Sequence, residues 1–190
     1  MTIGIPSSQE NVLQNETIFN SIWFKFFEDI YTAIRGDTDI RLGGLLSSDA
    51  TSNSNSGIGQ TDLSSYSLSA NSLRNNGDVL ELDAWGIYAA NGNNKTITLE
   101  FGSQTLLDTG AIAANSGSWR IKAKIIRTSN STQEIIAEII SDNGSVADSV
   151  TRTGGTQNLS DDLIIKCTAT GGASNDVTQY AFLINLYPNS

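Results

Sequence analysis

The sequence predicts a mainly β protein: an antiparallel β-sandwich of jelly-roll-like form, with one N-terminal amphipathic helix. Three observations carry this. From residue 61 onward, apolar and polar residues alternate with period two in run after run, the mark of strands with one face in a core. Turn dipeptides and Gly/Asn clusters separate the runs, among them Asn76-Gly77, Ser116-Gly117 and Gly171-Gly172. No helical period lies between the runs, which excludes consecutive βαβ units.

The elements follow in order. Residues 1–15 are polar and read as extended, with Pro6 opposing an early helix start. Residues 16–35 read as the helix. Asn15 is its N-cap and Glu16 sits favourably in the first turn. Apolar residues recur at spacings of three and four from Ile18 to Ile34, with Ser21, Lys25, Glu28, Asp29 and Thr32 on the other side. Arg35 and Gly36 suit the C-terminal end. The stripe is aromatic, holding four of the six phenylalanines of the chain. Such a face has to be covered, either by the chain's own β-domain or by another subunit or protein. The second reading makes Phe19, Ile22, Trp23, Phe26, Phe27, Ile30 and Tyr31 the candidate anchoring and interface residues. Residues 47–60 (SSDATSNSNSGIGQ) have the composition of a flexible linker. The expected division is therefore an N-terminal arm and anchoring helix over 1–46, a linker over 47–60 and a β-sandwich domain over 61–190.

About eight strands are expected in that domain. Tyr66, Leu68 and Ala70 alternate with serines. Leu80, Leu82 and Ala84 share one face, opposite Glu81 and Asp83. Asn91–Asn94 makes a hairpin turn before Ile97, Leu99 and Phe101, and the short run Thr105–Leu107 follows. Trp119, Ile121, Ala123 and Ile125 point in, with Arg120, Lys122 and Lys124 out. Ile135, Ala137 and Ile139 are in phase. Residues 147–160 read as a long polar loop. Leu163, Ile165, Cys167 and Ala169 alternate, and Tyr180, Phe182, Ile184 and Leu186 form the last inward set. Trp85, Ile87, Ile126, Ile136 and Ile140 are apolar yet out of phase. Either local bulges turn them inward or the outer face meets a second layer. With the aromatic helix, the second option favours a homo-oligomer.

Composition removes whole classes of function. The chain carries a net charge of −9, which repels phosphate backbones and opposes nucleic-acid binding. The stripe Arg120, Lys122, Lys124 reads as a solvated strand face. There is no histidine and one cysteine, Cys167. Ser-His-Asp and Cys-His catalysis, most zinc sites and intrachain disulfides are excluded, and Cys167 reads as a small core residue. The start of the chain shows no secretory signal, and no stretch reads as a membrane span. Glu81 and Asp83 form an imaginable glycosidase pair, but solvated surface carboxylates are the favoured reading, as they are for Asp161 and Asp162. Arg35-Gly36-Asp37 reads as a helix stop. Asp37-Thr38-Asp39 and Asp142-Asn143-Gly144 fall short of a calcium loop. No cofactor is implied, and the expectation is of no enzymatic activity.

Residues 66–188 resemble a domain common in structural proteins of tailed bacteriophages. The marks are Gly77-Asp78-Val79-Leu80, Trp85-Gly86, the Asn-rich turn, Phe101-Gly102 followed by Asp108-Thr109-Gly110, the Trp119–Thr128 strand and the late Val177-x-Gln179. The segment WFKFFEDIYTAIRG resembles the aromatic segment near the start of phage fibre and appendage subunits. The resemblance implies a trimeric jelly-roll-like β-sandwich whose N-terminus attaches to a virion assembled in the host cytoplasm. Its partners would be itself, other virion proteins of tail or capsid, and a host surface glycan or protein. It brings no catalytic residues, and the charge and hydropathy readings above add the expectation of no nucleic acid and no membrane insertion. A capsid decoration (cement) protein and, from a different class, a carbohydrate-active enzyme using Glu81 and Asp83 are the alternatives. Tyr66 and Tyr88 are candidate glycan contacts.

Overall fold

The computed structural model describes residues 23–27, 43–142 and 148–189. The chain divides into two compact units, one before Gly43 and one from Gly43 to Asn189.

In the first unit, residues 23–27 are helical. The i, i+3 and i, i+4 spacing brings three rings together. Trp23 lies 5.5 Å from Phe26 and 6.0 Å from Phe27, and the two phenylalanines are 5.7 Å apart. Phe19, Ile22, Ile30 and Tyr31 lie outside the described residues, as do Arg35–Asp37.

The second unit is mainly β, with eleven strands among the described residues, in chain order: β1 Gly44–Asp49, β2 Asn53–Ser54, β3 Thr61–Leu68, β4 Val79–Tyr88, β5 Thr96–Phe101, β6 Gln104–Asp108, β7 Ser118–Ser129, β8 Thr132–Ser141, β9 Ser149–Gly155, β10 Leu163–Thr170 and β11 Val177–Tyr187. All pairings are antiparallel. The large sheet runs β1-β11-β4-β7-β8-β9, with β2 also on β11, and the small sheet runs β3-β10-β5-β6. The inward residues of both sheets join in one core. Leu80, Leu82, Ile121, Ile125, Ile139 and Phe182 enter it from the large sheet, and Leu63, Ile97, Phe101 and Ile165 from the small one. Trp119 is the largest buried side chain, and its indole N–H reaches the Ile87 carbonyl at 3.3 Å.

Three strands depart from the expected layout. β1 and β2 occupy the segment expected as arm and linker, so the β-unit begins near residue 43 rather than 61. β1 pairs with β11 from Gly44↔Leu186 to Asp49↔Phe182. Between β2 and β3, Asn55 is buried and clamps the β10–β11 turn. Its Oδ1 accepts from the Val177 N–H, and its Nδ2 donates to the Gly57 and Ala173 carbonyls. The third is β9, which lies within the expected polar loop and closes the far edge on β8. An edge strand buries little on either face, so its residues carry no apolar alternation for a reader to find.

This boundary sets a prediction. A chain starting at Gly43 keeps β1, β2 and Asn55 and is expected to unfold at the same denaturant midpoint as the β-unit of the full chain. A chain starting at Thr61 strips the β11 edge and leaves the Val177 N–H without its partner. It is expected to lose at least about 2 kcal/mol in urea unfolding. Equal midpoints for the two truncations would restore residues 47–60 as a linker.

Candidate functional site

The outer face of the large sheet collects the out-of-phase apolar residues. Strict alternation runs through β4, β7 and β8, with inward Leu82, Ala84, Ile121, Ala123, Ala137 and Ile139. β4 and β7 pair without a register shift. No bulge turns Trp85, Ile87, Ile136 or Ile140 inward, and all of them are exposed, Trp85 at 36% and Ile140 at 49%. The structure therefore removes the bulge option for these residues and leaves them exposed on the outer face.

One bulge does matter, and it lies in β11. Gln179 pairs with Gly86 and Ala181 with Trp85, so Tyr180 is an extra residue. The insertion shifts the side-chain phase, which keeps Gln179 and Phe182 inward and turns Tyr180 out to 42% exposure. The expected inward set of Tyr180, Phe182, Ile184 and Leu186 therefore loses its first member. Tyr180 instead joins Trp85, Ile87 and Ile140 around a shallow depression of about 470 Å³, with Arg120 and Asp142 also on its lining.

The charged outward residues form cross-strand pairs. Lys124 Nζ is 2.7 Å from Glu81 Oε1. Arg120 grips Asp83 through two nitrogens, Nε at 2.8 Å from Oδ1 and the second through Nη2 and Oδ2. Arg152 meets Glu134 at 2.8 Å. Hydrogen bonding to the paired carboxylate raises the pKa of both Arg120 and Lys124 above the ordinary value. Lys122 lies in register between Asp83 and Glu138. Glu81 and Asp83 thus stand on an open sheet face beside a depression of about 300 Å³ that Lys122 and Lys124 also border. Each carboxylate already has a cation as its cross-strand partner.

No protein-family model matches the chain, and no curated protein matches it. Among solved structures, peanut lectin with a 9-mer peptide (PVIWSSATG) aligns over 74% of this chain and 92% of its own, at 11% identity and a TM-score of 0.32. That overlap is too loose to carry a function across.

The remaining sequence candidates fall into structural places. Tyr88 is buried, its hydroxyl lacks a hydrogen-bond partner, and burial pushes its pKa up, so it is no glycan contact. Tyr66 is half-buried against the core. Cys167 is buried, and desolvation pushes its thiol up to about 12, the state of an inert core cysteine. Asp162 accepts from the Ala70 N–H and Asp161 from the Asn158 side chain, so both are turn residues. Among the described residues, no group of three His, Cys, Asp or Glu side chains stands ready for a metal. Among the same residues, no helix is long and apolar enough to cross a membrane.

Sequence reasoning missed one cluster altogether, the polar brace between the β4–β5 and β10–β11 turns. Lys95 is fully buried. Its ammonium donates to the Ala114 carbonyl at 2.6 Å, to Asn91 Oδ1 at 2.8 Å and to the carbonyls of Asn93 and Asn91 at 3.1 and 3.2 Å. The Asn91 amide passes the contact on, donating to Asp176 Oδ1 at 2.7 Å. Asp176, also fully buried, further accepts from the Ala173 N–H and the Asn93 side chain. Burial would push the Asp176 carboxyl up. The hydrogen bonds from Asn91, Ala173 and Asn93, with the Lys95 charge, outweigh it and hold it below its ordinary value. Burial is also the main effect on Lys95, whose pKa is lowered, with the Asp176 charge opposing. Only the turn signals at Asn91–Asn94 and Gly171-Gly172 marked this region in the sequence.

Proposed function

We propose that the chain is a structural, homo-oligomeric protein of a phage virion, a short fibre or tail appendage. Residues before Gly43 serve as its particle anchor, and the β-unit is a projecting jelly-roll module. The observation that carries the reading is the outer face of the large sheet, where aromatic and aliphatic residues stand exposed among charges of which three pairs are joined within the chain. A surface of that kind fits association with another protein surface rather than chemistry on a substrate.

Two further features support it. The strand order places the first strand beside the last in one sheet, and consecutive strands cross repeatedly between sheets, as in a double Greek key. The motifs that resemble phage structural domains fall at packing and turn positions: Gly86 sits tight against β11, and Gly102 and Gly110 take positive φ in turns. They preserve a fold rather than a catalytic centre.

The test is particle incorporation. The wild-type chain is expected in purified virions of the phage that encodes it, at a fixed ratio to the other structural proteins. Trp23→Ala with Phe27→Ala is expected to lower incorporation at least tenfold while the β-unit keeps its melting temperature. Absence of the wild-type chain from particles would overturn the virion reading. Unchanged incorporation of the double variant would overturn the anchor.

A further inference from the structure

We infer that the outer face of the large sheet, centred on Trp85, Ile140 and Tyr180, is the surface on which a second copy of this chain packs as a twofold pair. This deepens the homo-oligomeric part of the reading above and rests on it.

Charge is the first reason. The chain as a whole carries −9, so two copies repel over most of their surfaces. The outward charges of β4, β7, β8 and β9 cancel instead. Three carboxylates are matched by three cations in the cross-strand pairs. Lys122 and Glu138, of opposite sign and adjacent in register, complete the balance and form no ion pair among the described residues. Repulsion between like chains is therefore low on this face. A twofold axis near the Lys122–Glu138 pair lets each cation meet the other copy's carboxylate.

The chemistry of the depression is the second reason. Its lining is carbon-rich, and its two charged members are already engaged. Arg120 is held by Asp83, and Asp142 accepts from the Ser118 N–H. An apolar protein face would cover Trp85, Ile87 and Ile140 without requiring further hydrogen bonds. Extent is the third reason. Five strands at about 4.8 Å spacing and about 30 Å long present on the order of 800 Å², the area each partner contributes to a standard stable interface.

Symmetry decides the order of assembly. A threefold ring joins two different patches that complement each other, while a twofold pair uses one patch twice. The outer face of the small sheet supplies no counterpart patch. It is polar, carrying Asp62, Ser65, Ser67, Glu100 and Lys166, with Ile164 as its one large exposed apolar residue. The structure thus points to a pair rather than the trimer that the resemblance implies.

The experiment is light scattering on the full chain across a hundredfold range of concentration, with Trp85→Glu/Ile140→Glu beside the wild type. The wild type is expected at twice the 20.3 kDa chain mass, and the double variant at half the wild-type value with an unchanged circular dichroism spectrum. If the double variant unfolds, Lys122→Glu decides: alone it is expected to weaken the pair at least tenfold, and combined with Glu138→Lys to restore it. A wild-type oligomer that neither the double variant nor Lys122→Glu weakens would overturn this interface and leave the homo-oligomeric reading standing. A wild type that is monomeric throughout would overturn both.

Discussion

Lys95→Met is expected to destabilise the β-unit by about 3–5 kcal/mol, the cost of removing one member of a buried charged network. The methionine fills most of the volume, so the loss is electrostatic rather than a cavity. Four acceptors on Asn91, Asn93 and Ala114 would lose their donor. Asp176 would stay buried without the nearby positive charge that helps hold it ionised. Urea unfolding is the measurement, with a lower midpoint and an unchanged slope expected. Asp176 titrates lower in the folded state than in the unfolded one. Its contribution is therefore fully present above the unfolded carboxylate pKa of about 4 and is lost as pH falls through the folded value. No histidine is present, so wild-type stability is expected to stay level from about pH 6 to 7. A loss of under about 1 kcal/mol in Lys95→Met would mean that water replaces the ammonium and that the brace is not structural.

Gly86→Ala is expected to cost about 3 kcal/mol, the upper end of the range for overpacking. Gly86 lies near the end of β4, an interior strand of the large sheet, opposite Gln179. A Cβ there would lie 1.9 Å from the Thr178 carbonyl oxygen and 2.8 Å from the buried Trp119 ring. The first obstacle is backbone, so relief requires β11 to move away from β4 beside the Tyr180 bulge. Gly92→Ala is the control, because nothing lies within 4 Å of a Cβ at that position. It is expected to stay within about 0.5 kcal/mol of wild type. Thermal unfolding of the two variants side by side separates a close approach of backbones from a general intolerance of alanine for glycine. Equal melting temperatures would mean that β11 yields at no cost.

The sequence by itself determined the β class and the strands that carry the core. β4, β7, β8 and β10 each show their inward residues as an unbroken period of two, because that face is packed in the core. It also marked Trp85, Ile136 and Ile140 as apolar residues out of phase with their strands, while the unbroken β4–β7 register decided that they stand outside. Tertiary structure alone decided the rest. β1 and β9 are edge strands held by backbone hydrogen bonds, and such bonds leave no mark on side-chain polarity. Asn55, Lys95 and Asp176 look like ordinary turn residues in the sequence. Each is buried by segments distant in the chain, and a buried polar group is tolerated only where those segments bring its partners. Tyr180 reads as core by its phase, yet a single inserted residue opposite Trp85 turns it outward. A bulge is a relation between two strands and cannot be seen in either one alone.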